Sequence, residues 1–247
     1  MGKKKDSLEL YFHIPFCIKK CDYCDFLSGP ATRVGQEAYI YALLREMKAV
    51  SAIEKRTVDT VFIGGGTPSV PECGIMEKLL QGIGKNFQLA ADAEVTIEAN
   101  PGTLTPEKLA LYRRYGINRI SIGLQSPENQ ELRALGRIHN YQQFLESYHM
   151  AREAGFSNIN IDLMFAIPGQ SYEGWIQNLR TVAKLGPEHI SAYSLIIEEG
   201  TPFSARKLDL PDEDTEYRMY EDVAAVLGKY GYYQYEISNY AKKDRNC

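Results

Sequence analysis

The chain runs to 247 residues, 44% hydrophobic and 24% charged, with a formal net charge of −4. That length holds one large domain with a real core or two small ones, and the charge excludes a global positive field for nucleic acid or an anionic membrane. No apolar run reaches the length of a membrane span and no signal-peptide core follows Met1, so the chain reads as cytoplasmic.

The basic run Lys3-Lys4-Lys5 reads as a solvated end. Strand-like and amphipathic helical runs then alternate. Leu8–Ile14 is β-rich and leads into a loop that places Cys17, Cys21 and Cys24 within eight residues. Five cysteines, odd in number and clustered, do not make a disulfide framework; they point to metal or redox chemistry in a reducing compartment. C-x3-C-x2-C sets three soft thiolates around one centre, which suits an iron–sulfur cluster. Zinc is the alternative, but it needs a fourth ligand, and Pro15 separates His13 from Cys17. Three protein ligands would leave one iron of a [4Fe–4S] cluster open to another molecule.

A helical pattern over Gln36–Lys55 precedes a strand over Thr57–Ile63, which ends in Gly64-Gly65-Gly66-Thr67-Pro68. Three glycines there let the backbone come within contact distance of a ligand; a tight turn before a helix explains them equally well. The run has neither a Rossmann spacing nor a P-loop lysine. The helix Pro71–Asn86 carries Cys73, which reads as an ordinary buried thiol. The strand Glu94–Ala99 ends at Glu98 and Asn100, and Thr105-Pro106 signals a helix that stops at Gly116. The strand Arg119–Leu124 ends at Gln125. Ser126-Pro127 signals the next helix, to Leu135, and Tyr141–Ala154 follows, stopped by Gly155. The strand Asn158–Phe165 holds Asp162 and turns at Ile167-Pro168-Gly169, and Tyr172–Leu185 and His189–Leu195 complete the alternation. Beyond lie a turn at Glu198–Pro202, a helix over Asp214–Tyr230 and an aromatic extended segment over Tyr232–Tyr240. The end at Cys247 has no capping element and reads as part of something longer.

Six strand–helix repeats imply a parallel α/β sheet with right-handed crossovers. Pattern alone leaves open a doubly wound sheet or a complete or partial (β/α) barrel. In either, chemistry gathers at the carboxyl ends of the strands, and here five successive strands end in polar or glycine residues. Taken singly, Arg137 and Asp162 also fit ordinary salt bridges.

The blocks "YFHIPFCIKKCDYCDF", "FIGGGTPS", "TIEANPGTLT", "RISIGLQS", "LGRIHN", "NINIDLMFAIPGQS", "HISAYSLIIEEGTP" and "YEISNYA" together resemble the radical S-adenosylmethionine (SAM) superfamily. Within it they resemble the oxygen-independent coproporphyrinogen III oxidase-like branch, and there the HemW-type heme chaperones. The resemblance implies a partial (β/α)6 TIM-like barrel over residues 1–200 and the start of a C-terminal extension over 201–247. It implies that Cys17, Cys21 and Cys24 hold a [4Fe–4S] cluster whose open iron takes SAM. Tyr11, Gly65 and Glu98 match one SAM-contacting set; Tyr23, Gly66, Thr67, Gln125, Arg137, Asp162 and Ile196 match a second. The oxidase carries a further cysteine where this chain has Phe26, as the chaperones characteristically do not. The resemblance therefore implies a carrier of heme or another tetrapyrrole, a respiratory heme-acceptor protein, a flavodoxin- or ferredoxin-type electron donor, and a peripheral position at the membrane during delivery. The alternative is SAM-dependent decarboxylation of coproporphyrinogen III, or another tetrapyrrole-directed reaction. His139 and His189 read as satisfied surface residues rather than heme ligands.

Overall fold

The computed structural model describes residues 7–247, so the Lys3–Lys5 run lies outside the described residues. Six parallel strands are laid down in chain order: β1 (Leu8–Ile14), β2 (Val58–Gly65), β3 (Leu89–Ala99), β4 (Arg119–Gln125), β5 (Ile159–Phe165) and β6 (His189–Ser194). Between them run α1 (Arg33–Ile53), α2 (Cys73–Asn86), α3 (Pro106–Arg114), the short α4 (Asn129–Ala134) with α5 (Tyr141–Glu153), and α6 (Tyr172–Leu185). A doubly wound sheet reverses its strand order midway. This one never does, and it has two free edges rather than a closed ring. The architecture is that of a partial (β/α)6 barrel.

Period-two alternation gives the sheet two faces. Ile97, Ile120, Ile122, Leu124, Ile161, Leu163 and Ile190 are 0% exposed and join the helices in the main core. The alternate positions carry Glu98, Ser121, Gly123, Gln125, Asp162 and Tyr193, which line a common cavity. At about 25 cal/mol per Å2 of apolar surface, the outer face stabilises the fold and the inner face is left to polar residues.

Local signals set most boundaries. Thr105 caps α3 by accepting from the Lys108 amide at 3.3 Å, with Pro106 in the first turn. Gly116 and Gly155 follow helix ends with φ of 85°. The Ser126-Pro127 signal is misleading. The α4 helix starts later, at Asn129, and its N-cap Glu128 has no side-chain cap bond. Ser126 accepts from the Glu128 amide at 2.9 Å and donates to Glu131, so its hydroxyl holds a buried turn.

Past β6, α7 (Glu213–Gly228) buries Met219, Val223 and Leu227, and Met219 O accepts from the Trp175 indole of α6 at 3.0 Å. The aromatic segment resolves into two short strands, β7 (Tyr233–Glu236) and β8 (Asn239–Ala241). β8 pairs antiparallel with β6 and with β7, giving the order β1-β2-β3-β4-β5-β6-β8-β7. Among the described residues no helix is long and apolar enough to cross a membrane.

Candidate functional site

The loop after β1 is shaped by its main chain. Cys17 donates its amide to Gly29 O and Gly29 donates to Pro15 O, both at 2.9 Å, which closes the loop on itself. Gly66 donates to Ile14 O at 2.9 Å and Thr67 to Phe16 O at 2.7 Å, fastening the loop to the end of β2. On the far side Asp22 donates to Leu135 O at 3.3 Å and accepts from the Phe203 amide at 3.1 Å; its carboxylate pairs with Arg206 at 2.7 Å. His13 Nε2 lies 3.0 Å from Leu27 O and ties the loop's outgoing arm to β1.

This gives the glycine run a different use from the one its sequence suggested. A Cβ at Gly66 would meet Phe16 O at 2.8 Å and Ile14 O at 3.0 Å, so the close approach is to the cysteine loop's own backbone. Gly65, at φ +114°, would drive a Cβ to 2.5 Å from the His13 ring rather than toward a ligand. Both glycines still present backbone to the cavity.

That cavity, about 210 Å3, lies between the loop and the carboxyl ends of the strands, and all three loop cysteines line it. Tyr23, Gly65, Gly66, Glu98, Gln125, Arg137 and Asp162 share its wall. Thr67 stands just outside, its hydroxyl 3.6 Å from Cys17 Sγ and accepting from Asn100 Nδ2 at 2.7 Å. Ile196, 66% exposed, faces a neighbouring cavity of about 260 Å3 that shares Tyr23, Cys24, Phe26 and Tyr193 with the first. Tyr11 is 59% exposed outside both, stacked on Phe62 with its hydroxyl 3.1 Å from His13 Nδ1.

The cavity's buried charges are unpaired with one another. Arg137 donates to Gly123 O at 2.6 Å and Asn100 Oδ1 at 2.7 Å, and its other nitrogen lies 3.6 Å from Cys21 Sγ. Among the described residues no carboxylate pairs with it, nor any cation with Asp162, so the ordinary salt-bridge reading fails for both. Glu98 accepts from the Gly65 amide at 2.9 Å, and burial, reinforced by the nearby Asp162 charge, pushes its pKa up to about 7. Burial also raises Asp162, against donors from Asn160 and Ser121. Gln125 takes φ 73°, a strained value for a side-chain-bearing residue, and accepts from the Tyr193 hydroxyl at 2.9 Å.

Among the described residues no trio of His, Cys, Asp or Glu is drawn together closely enough to hold a single metal ion. The donor set is three free, partly buried thiols facing one cavity. Soft sulfur ligands around a shared space fit an iron–sulfur cluster. The buried Arg137 guanidinium, with Lys19 and Lys20 at the loop side of the same cavity, and the two carboxylates fit a ligand carrying charge of both signs.

Two readings change. His139 and His189 are interior residues, 6% and 0% exposed, and burial lowers the pKa of each to about 3. Cys73 is partly rather than fully buried at the start of α2. Sequence reasoning passed over Ser121 and Tyr193; both sit on the inner-face alternation of β4 and β6, a signal that was present but overshadowed by strand-end residues.

The amino-acid sequence matches the radical SAM superfamily over residues 11–182. It is 43% identical to the heme chaperone HemW of Escherichia coli (strain K12) over 246 residues, 99% of this chain and 65% of that protein. It is 39% identical to the heme chaperone HemW of Bacillus subtilis (strain 168) over 238 residues, 94% and 63% respectively. The chain thus spans just under two thirds of the length of these relatives. Coproporphyrinogen III oxidase (HemN) from Escherichia coli, described as a radical SAM enzyme, superposes with TM-score 0.89 at 30% identity, covering 97% of this chain and 56% of that one. The hydrogenase maturase HydG from Carboxydothermus hydrogenoformans, at TM-score 0.61 and 16% identity, shares the fold alone. With that match extending over most of its length, the chain belongs to the radical SAM superfamily, which implies a [4Fe–4S] cluster and SAM.

Proposed function

We propose that this chain is the cluster- and SAM-binding part of a heme chaperone of the HemW type. Cys17, Cys21 and Cys24 would hold the cluster. Arg137 would clamp the SAM carboxylate, Glu98 would accept from its ammonium, and Asp162 would accept from a ribose hydroxyl; Tyr23, Gln125 and the Gly65–Gly66 backbone would border the adenosyl part. Tyr11, Thr67 and Ile196 would act from the margin. When bound, the cluster and SAM supply one-electron chemistry. The chain's own residues bind, orient and exclude water.

The observation that carries the reading is three thiols in one cavity with buried charges of both signs, the guanidinium among them having no carboxylate partner among the described residues. Heme as cargo is supported by the relatives' names; an acceptor protein and an electron donor are part of the proposal. Phe26 supports the carrier over the oxidase. It is 67% exposed where the two cavities meet, and a phenyl ring there neither ligates nor transfers a proton. The superposition on the oxidase keeps decarboxylation as the second reading.

The test is anaerobic reconstitution followed by heme titration and a turnover assay. The protein should take up about four irons per chain, show an electron paramagnetic resonance signal that SAM alters, and bind heme stoichiometrically. Cys17→Ala, Cys21→Ala and Cys24→Ala should each lose the iron. Supplied with reductant, SAM and coproporphyrinogen III, it should make no protoporphyrinogen IX. Multiple-turnover decarboxylation would replace the carrier reading with the enzyme; a normal cluster in any cysteine variant would overturn the ligand assignment.

A further inference from the structure

Asp162 enters the cavity from β5 and is held from behind. Asn160 Nδ2 donates to its Oδ1 at 2.7 Å, and the Ser121 hydroxyl donates to Oδ2 at 3.1 Å. The same Asn160 nitrogen donates to Ser121 Oγ at 2.8 Å, so both amide hydrogens have acceptors. The amide oxygen of Asn160 is therefore turned toward β6, where His189 Nδ1 stands 2.6 Å away. An amide that gives its NH2 end to a carboxylate presents oxygen to the imidazole, so Nδ1 carries the proton. Nε2 is then an acceptor; the Tyr235 hydroxyl of β7, 2.8 Å away, is its nearest donor, the Cys247 thiol standing farther off at 3.9 Å, while the Tyr235 oxygen accepts from the Cys247 amide at 3.3 Å and lies 3.1 Å from its Sγ.

The row runs one way: Tyr235 to His189, His189 to Asn160, Asn160 to Asp162. Hydrogen bonds aligned like this polarise one another in a low-dielectric interior. Ser191 competes only weakly. Its hydroxyl is 2.8 Å from Asn239 Oδ1, nearer than the 3.3 Å to Asn160 Oδ1, and toward Asp162 it is a weaker donor than Asn160 or Ser121. Asn160 and His189 are 2% and 0% exposed, and neither they nor Tyr235 line the cavity. Around Asp162 stand Glu98 of β3, Arg119 of β4 and Tyr193 of β6, and no one of them forms an ion pair with it. Its orientation depends on the donors behind it.

We propose that His189 is a positioning residue for Asp162: through Asn160 it fixes the carboxylate that faces the cavity, and through Tyr235 it ties that carboxylate to the seating of the β7–β8 pair. The inference rests on the reading of Asp162 as a SAM contact. It makes the last strands of this chain part of the ligand site although they lie outside the cavity wall.

The measurement is SAM affinity by equilibrium dialysis on the anaerobically cluster-loaded 247-residue protein, with thermal unfolding of each variant alongside. Asp162→Asn should weaken SAM about tenfold or more, since a bond to a charged group is lost. His189→Leu removes the Nδ1 donor and should weaken SAM about tenfold. His189→Asn keeps an amide donor near the Nδ1 position and should return affinity to within about threefold of wild type. Tyr235→Phe removes one hydroxyl from a partly exposed residue and should weaken SAM about two- to fourfold. Failure of His189→Asn to rescue relative to His189→Leu would reduce His189 to packing and overturn the proposal, as would wild-type affinity in Tyr235→Phe for the tie to β7. Should His189→Leu not fold, the His189→Asn and Tyr235→Phe comparison decides alone. Wild-type affinity in Asp162→Asn overturns the underlying reading of the site as well, which separates that failure from a failure of His189 with Asp162 intact.

Discussion

Glu98 ends β3 with its carboxylate facing both the Gly65 amide and the cavity, and its pKa of about 7 places its titration in the physiological range. Relative to an unfolded value near 4.5, the raised folded value contributes stability that is fully present below about pH 4.5 and lost as pH climbs through about 7. Glu98→Gln should therefore raise the melting temperature of the ligand-free protein at pH 8, by an effect on the order of 2 kcal/mol, and leave it unchanged near pH 4. Ligand binding runs the other way. An ammonium needs the ionised carboxylate, so SAM affinity should fall about tenfold per pH unit below pH 7, and Glu98→Gln should flatten that limb. A flat wild-type profile would show that Glu98 is not the ammonium's partner. At this scale the sequence displayed Glu98, Asp162 and the cysteines because polar or soft side chains at strand ends stand out. It concealed His189 and Asn160, because one histidine at the start of a β-run looks the same whether its ring meets solvent or a hydrogen-bond row.

The elements that matter most are the cysteine loop and the end of β2, which meet through two backbone bonds from Gly66 and Thr67. Gly66→Ala would force a methyl against Phe16 O, a backbone atom that has no rotamer to yield. The expected result is a loss of about 2 kcal/mol or more of stability and a marked fall in iron incorporated per chain, read by unfolding and iron assay on the same preparation. Unchanged iron content would mean the loop finds its shape without β2. Element existence was legible throughout, since β-branched runs alternate with amphipathic ones. Two details were not. Ser126-Pro127 carries a helix-start signature, but its hydroxyl donates to Glu131, five residues on, and accepts from Asn178 of α6, a partner that no local pattern records. The glycine run advertises a close approach without saying to what.

For the molecule as a whole, strand order decides the architecture. Six repeats were visible in the sequence, whereas winding without reversal is a property of packing between elements far apart in the chain. The proposed extension beyond residue 200 is bound to the barrel along its length: β8 pairs with β6, Arg206 pairs with Asp22, and two apolar contacts add to these. Phe203 is 1% exposed in a small core with Leu135, Met164, Ile167 and Leu195, and α7 covers α6. A chain ended at residue 200 should accordingly expose apolar surface, bind a hydrophobic dye and aggregate on size-exclusion chromatography. A monodisperse product melting like the parent would make 201–247 an independent appendage.

The cysteine loop takes much of its form from main-chain bonds to its neighbours, with His13, Lys19, Asp22, Thr67 and Arg137 as side-chain ties, while Ile18, Phe26 and Leu27 are 58%, 67% and 84% exposed. Such a loop behaves as a frame with removable panels. Main-chain bonding is indifferent to side-chain identity, so the exposed residues that make no side-chain tie, Ile18, Phe26 and Leu27, can be exchanged without unmaking the frame. Divergence of cargo or reaction in proteins built this way can proceed by swapping panels such as Phe26 while the cluster's seat is inherited unchanged.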